Sequence, residues 1–431
     1  MEELVRLARA AAAEAADHQE KFAAEDLESR KIVDILEAFL RIKGRVVYGG
    51  AAINAHMPPE RKFYDPTLYL PDYDFLTPDP LQDCADLIVS FQEEGFTDVE
   101  AKFGIHEGTY KVFVNYRPAA DITFMPAELY GSLATDAVLI DGIRYASPDY
   151  LRMNMYLELS RPAGDVSRWE KVYKRLLLLN EEHPPRAGRC VSDPLGSLAA
   201  TPGQTASAQT LYDKIVTAAT AAGAVFLSGA SYLAPVPADP DPADPVLLLS
   251  TDPVTLRVAL ERHSLKPTAL PSQGELLPAR TEFHTPKGRL AAVVFETAAC
   301  HAYTLLASPP APEGYRLASV DLLIQMYYAL YFTGLQTYLP TRILCVIQSL
   351  VDIESQRRLL AVEKGLPAHD VFPLDCIGHQ PTLPELKKAH RIRVKEKRAE
   401  LQGAMSLGIE SSVGGPRRRN RSQRRKKAPV K

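Results

Sequence analysis

Asp72 and Asp74, in the stretch YLPDYDFLTPDP (Tyr69 to Pro80), stand two residues apart in a segment that is otherwise largely apolar. Residues i and i+2 of a strand share a face, with side-chain roots about 6–7 Å apart. Two carboxylates so placed repel each other and lose hydration unless a cation lies between them. The other reading is a solvated loop whose acids cap turns beside Pro71 and Pro78. A third acid, Asp121, lies in the strand-like run AADITFMP, and the run VVYGGAAINAH carries Gly49 and Gly50 between an apolar strand and a helix. Carboxylate oxygens suit a hard ion such as Mg²⁺. Glycines without β-carbons let backbone N–H groups and a helix N-terminus come close to phosphate. Together these parts fit displacement at a phosphoryl group, where two divalent ions about 3.5–4 Å apart stabilise the attacking and leaving oxygens.

The elements that would carry these residues occur twice. VVYGGAAINAH from Val46 resembles VFLSGASYLAP from Val225, DFLTPDP from Asp74 resembles LLLSTDP from Leu247, and GIRYASPDYLRMNMYLEL from Gly142 resembles GYRLASVDLLIQMYYALYF from Gly314. The offsets are 179, 173 and 172 residues, which indicates a tandem duplication. The copies keep the glycine turn, the apolar strands and a helix entry with Ser147 as N-cap. They differ where chemistry would sit: Asp72 and Asp74 fall on Pro245 and Leu247, an alanine or valine replaces Asp121, and Arg152, Lys171 and Lys174 fall on Ile324, Ile343 and Val346. The first copy therefore reads as active and the second as degenerate. Lys171, Lys174 and Arg175 share one helix face at i, i+3 and i+4, where they form either a phosphate-neutralising patch or a solvated charged face. Arg152 is a further phosphate candidate. Tyr48, Phe63 and Tyr64 are base-stacking candidates or core.

A hydrophobic residue followed by two glycines, a helix, an Asp-x-Asp strand and a later strand aspartate resemble the DNA polymerase beta-like nucleotidyltransferase superfamily. Two departures stand out. Asp72 follows Gly50 by 22 residues, so HMPPERKFYDPTLYL must loop out, and the turn lacks a serine hydroxyl. The region from about Val46 to Asn180, insert included, more closely resembles the poly(A) polymerase catalytic subunit of large nucleocytoplasmic DNA viruses. That resemblance implies an α/β (α+β) fold of two tandem nucleotidyltransferase-like domains. It also implies addition of AMP from ATP to RNA 3′ ends with two Mg²⁺ or Mn²⁺ ions. By it, Asp72, Asp74 and Asp121 are catalytic metal ligands, Asp121 helps deprotonate the 3′-hydroxyl, and Gly49 and Gly50 form the nucleotide turn. It further implies a homodimer, or a processivity or cap-modifying partner, in a virion or host cytoplasm. A small-substrate nucleotidyltransferase and a non-catalytic RNA-binding subunit stay open.

The expected layout is an N-terminal helical segment (1–44), a catalytic domain (45–182), a linker (183–208), a degenerate domain (209–382), a charged helix (383–412) and a disordered basic tail (413–431). The tail holds nine Lys/Arg and no acid, while the remaining chain has 41 Lys/Arg against 53 Asp/Glu. Such a tail suits RNA phosphate or nuclear targeting. Neither a membrane span nor a signal-peptide pattern is expected. Five scattered cysteines, never paired as CxxC, predict a reducing compartment without a disulfide framework or zinc site.

Overall fold

The structure, a computed structural model, describes residues 2–64, 71–185, 187, 190, 195, 206–234, 240–274, 276–306, 311–334 and 340–406. The basic tail and most of the 183–208 segment lie outside these residues.

Two helices, α1 (Glu2–Glu25) and α2 (Leu27–Lys43), precede the first sheet. Asp26 caps α2 by accepting from the Ser29 amide, and Gly44 closes it in the left-handed region at φ +60°. The first sheet comprises β1 (Val46–Tyr48), β2 (Tyr73–Thr77), β3 (Val99–Phe103), β4 (Thr109–Val114), β5 (Arg117–Phe124), β6 (Val138–Ile140) and β7 (Ile143–Tyr145). Between and after these strands come α3 (Gly49–His56), α4 (Pro80–Glu93), α5 (Ala127–Asp136), α6 (Pro148–Leu159) and α7 (Trp169–Glu182). The second half opens with α8 (Ala206–Ala221) and builds its sheet from β8 (Val225–Phe226), β9 (Val246–Ser250), β10 (Lys266–Leu270), β11 (Arg280–His284), β12 (Leu290–Glu296), β13 (His301–Leu305), β14 (Arg316–Ala318) and β15 (Cys376–Ile377). Its helices are α9 (Pro253–Glu261), α10 (Val320–Thr333) and α11 (Pro340–Lys364).

The sheets have one topology. The first runs β3-β4-β5-β2-β1-β7-β6; the second runs β10-β11-β12-β9-β8-β14-β13 and adds β15 at the edge. Pairing senses agree as well: β2 lies parallel to β5 as β9 does to β12, and β1 lies antiparallel to β2 as β8 does to β9. Local signals recur with the topology. Asp79 and Asp252 cap α4 and α9, each with proline at the first turn, and Ser147 and Ser319 cap α6 and α10. The duplication read from the sequence is thus visible in the fold.

Both sheets lie in one compact unit, Met1–Thr382. Within it α6 packs on its counterpart α10, where the Tyr328 hydroxyl donates to Asp149 Oδ1 at 2.9 Å and accepts from Arg152 at 3.1 Å. The remaining unit carries α12 (Leu383–Ser406). No described helix is long and apolar enough to cross a membrane.

One expectation fails. Cys190 pairs with Cys345, and Cys300 with Cys376, with Cα atoms 5.6 and 5.4 Å apart; only Cys84 is free, and it is buried. The sequence separations, 155 and 76 residues, explain why the scattered cysteines look unpaired until the fold joins them.

Candidate active site

Strand alternation settles the placement of the paired acids. Tyr73 and Phe75 of β2 are buried on one side, so Asp74 projects from the other, with Asp72 just before the strand at an exposed position. In the parallel β2–β5 pair Asp74 lies directly across from Asp121. The row extends both ways, since Tyr48 of β1 faces Asp74 and Lys111 of β4 faces Asp121. One line across four strands therefore reads Tyr48, Asp74, Asp121, Lys111.

The electrostatics follow from this crowding. Burial, then the charges of Asp72 and Asp121, push the Asp74 carboxyl up to about 7; Lys111 and Arg168 pull the other way. Asp72 is also raised, first by the loss of water around its carboxyl and then by Asp121, with Lys111 and Lys171 opposing. Asp72 is open to solvent as a residue, so its own shift carries less weight than that of half-buried Asp74.

The glycine turn abuts the acids. Gly49 has φ +72°, and a β-carbon on it would lie 2.6 Å from Asp74 Oδ2. Gly50 lies in the first turn of α3, where a β-carbon would meet the Arg175 guanidinium at 3.0 Å. These groups border a cavity of about 540 Å³ that also takes in Tyr48, Tyr64, Asn154 and Lys171. A neighbouring cavity of about 440 Å³ shares Ala51 and Tyr64 but contains none of the three aspartates.

Of the basic candidates, Lys171 and Arg175 reach the cavity. Arg175 donates to the Tyr64 hydroxyl and lies 4.6 Å from the Phe63 ring centre and 5.4 Å from that of Tyr64, so the insert's aromatics hold an arginine beside the glycine turn. The other two candidates are corrected. Lys174 is exposed on the outer side of α7 and pairs with Glu170 at 2.6 Å. Arg152 is fully buried away from the cavity, donating to Asn180 Oδ1 at 2.6 Å, to Asp149, to the Tyr328 hydroxyl and to the His183 carbonyl. It locks α6, α7 and α10 together. The sequence reading missed Lys111, Arg168, His106, Asn154 and Glu158, all at or beside the cavity.

A divalent metal is implied by the donor chemistry. Among the described residues, no three carboxylate, histidine or cysteine groups are gathered closely enough to hold an ion as they stand. Two observations nevertheless fit a cation: Asp74 is held far above its ordinary pKa by burial and then by the charges of Asp72 and Asp121, and the Lys111 ammonium is ion-paired to Asp121. Asp72, Asp74 and Asp121 are the residues that would hold it.

The second half is an internal control. Leu247 and Val293 face each other where Asp74 and Asp121 do, and Glu282 lies across from Val293 in place of Lys111. Behind its glycine turn the Tyr315 hydroxyl comes within 2.7 Å of where a Gly229 β-carbon would sit, and its ring stacks on Phe226 at 3.8 Å. The cavity left there is about 30 Å³.

Residues 34–165 match the family model described as Poly(A) polymerase catalytic subunit. A protein of Acanthamoeba polyphaga mimivirus provisionally named poly(A) polymerase catalytic subunit is 32% identical over 161 residues, covering 36% of this chain and 27% of that protein. The like-named protein of African swine fever virus (strain Badajoz 1971 Vero-adapted) is 26% identical over 171 residues, 38% of this chain and 36% of its own length. The matched stretch thus spans only about a quarter to a third of these relatives. The crystal structure of the Megavirus polyadenylate synthase superposes with TM-score 0.72 at 21% identity, covering 92% of this chain and 83% of that one. The chain is similar to these proteins over the region that carries the acids, and it shares the fold of the synthase across both halves.

Proposed function

We propose that the protein is a template-independent poly(A) polymerase that transfers AMP from ATP to an RNA 3′ end. Residues 45–182 form its catalytic domain and 209–382 a degenerate one. The observation that carries this reading is the juxtaposition of Asp74, Asp121 and the Gly49 turn in an open cavity, in a chain whose second half keeps the frame and loses both acids and space.

Each residue has a physical part. Gly49 and Gly50 bring backbone amides and the α3 N-terminus to the triphosphate. Lys171 and Arg175 neutralise the departing pyrophosphate, Arg175 being held in place by Phe63 and Tyr64. Asp72, Asp74 and Asp121 would hold Mg²⁺ or Mn²⁺, which when bound would supply Lewis-acid activation of the 3′-hydroxyl and charge stabilisation of the leaving oxygen. Asp121 accepts the hydroxyl proton. The acidic body leaves RNA phosphate to the cationic C-terminal region, and a homodimer or a processivity partner would lengthen contact with RNA.

Incubation with labelled ATP, Mg²⁺ and an unstructured RNA tests the reading. A ladder of extended RNA is expected. Label in small molecules alone would indicate a small-substrate transferase, and no transfer would indicate a non-catalytic RNA-binding subunit.

A further inference from the structure

We propose that Lys111 is a resident counter-ion of the acidic cluster: its ammonium occupies Asp121 while no divalent ion is bound and gives that carboxylate up when one arrives. This rests on the reading of Asp72, Asp74 and Asp121 as metal ligands, and adds a residue that sets how tightly they bind.

Three observations carry it. First, the ion pair is built in by register. Lys111 and Asp121 are direct cross-strand partners on one face of the β4–β5 ladder, so the lysine reaches the carboxylate without leaving its own row. Second, among the described residues Lys111 is the cation in direct contact with the cluster; Lys171 and Arg168 act on the acids through charge at longer range. Three carboxylates on one sheet face repel one another, and a single ammonium offsets part of that repulsion until a divalent charge replaces it. Third, the arrangement disappears as a unit in the second half. There the three positions of the row become Glu282, Val293 and Leu247, so the lysine is lost along with the acids it would balance, and Glu282 pairs instead with Arg280 of its own strand.

Lys111 is well placed to yield. Its side chain is 40% exposed while that of Asp121 is 22% exposed, so the ammonium can swing into solvent and the carboxylate stays. An exposed ammonium competes weakly, and a divalent ion displaces it. The lysine therefore tunes affinity without blocking the site.

The test is Mn²⁺ binding to the full chain without nucleotide, followed by the electron paramagnetic resonance signal of free Mn²⁺, for the wild type, Lys111→Met and Lys111→Arg. Thermal melts are taken in EDTA and in Mn²⁺. Lys111→Met should bind Mn²⁺ about three- to fivefold tighter. It should also melt lower in EDTA and gain more from added Mn²⁺ than the wild type does. Lys111→Arg should behave like the wild type. Equal or weaker Mn²⁺ binding by a folded Lys111→Met would overturn the role of Lys111 and leave the metal site standing. If Lys111→Met does not fold, Lys111→Gln replaces it under the same criterion. Absence of Mn²⁺ binding in every variant, wild type included, would instead remove the metal-site reading.

Discussion

Gly49→Ala separates the backbone's contribution to the site from that of its acids. Gly49 sits in the left-handed region at φ +72°, where an alanine costs about 1–2 kcal/mol. Its new β-carbon would lie 2.6 Å from Asp74 Oδ2, closer by about 1 Å than ordinary van der Waals contact allows. Asp74 belongs to a central strand and cannot retreat with its backbone, so the carboxylate must rotate off its position. A displacement of about 1 Å in a reacting group costs on the order of 100-fold in rate. Gly50→Ala is the control. Gly50 has an ordinary helical backbone, its β-carbon would meet the movable end of Arg175 at 3.0 Å, and alanine favours the helix by about 1 kcal/mol. We expect Gly49→Ala to lose 1–2 kcal/mol of stability and about 100-fold in RNA extension. Gly50→Ala should keep full stability and lose roughly tenfold or less, because only a flexible guanidinium shifts. Melting curves and single-turnover extension kinetics measure both. If Gly49→Ala extends RNA about as fast as the wild type, or both variants lose the same activity, the close approach of turn and acid does not govern the chemistry.

Arg152→Met should destabilise the fold by about 3 kcal/mol in urea denaturation, since it takes the paired charge from Asp149 and leaves part-buried acceptors at Asn180 and His183 unmet, and should leave the KM for ATP of the folded fraction unchanged. Lys171→Ala should slow extension about tenfold or raise the KM for ATP, whereas Lys174→Ala should stay within about twofold because its pair with Glu170 lies in solvent. His301 is nine-tenths buried, and burial, with Arg161 nearby, lowers its pKa to about 3. A folded pKa below the unfolded 6.5 means its contribution is complete above pH 6.5 and is lost as pH falls toward 3. Urea titrations of wild type and His301→Gln at pH 7.5 and 5.5 should therefore diverge by about 1.4 kcal/mol, the wild type losing more.

What the sequence could reveal depended on how local each signal was. Asp72 and Asp74 were legible because a strand's alternation needs only neighbours, and the β1-turn-α3 unit was legible because glycines punctuate it. Arg152 misled for a physical reason. Its counterpart Ile324 is fully buried, and a buried position that turns apolar looks the same whether the lost arginine bound substrate or held helices together. Lys174 misled differently, because its counterpart Val346 is buried while Lys174 itself faces solvent. Lys111 was illegible for a different reason. Counting back from the Asn115–Tyr116 turn pairs it with Ala120, but the ladder slips between Val112 and Phe113 and brings it opposite Asp121. One slipped residue reverses the face on which a side chain lies, and a single sequence does not announce it.

The second half has its own reason to persist without acids. The cavity wall formed by Leu151, Asn154, Met155 and Glu158 belongs to α6, and α6 is held from behind by α10. The duplicated helices have diverged in how they treat one shared aspartate. In α6, Asp149 looks outward to Arg152 and Tyr328, across the boundary between halves. In α10 the equivalent Asp321 is buried and clasped through both oxygens by Arg358 of α11, a residue of its own half. The second half fills its turn with Tyr315 and buries most of α10, whereas the first keeps about 540 Å³ open beside its own turn. Tyr328 of α10 is the side chain that meets Asp149 and Arg152 of α6. The α6 wall that borders the cavity beside Asp74 and Asp121 is thus tied from behind to a helix that is itself largely buried.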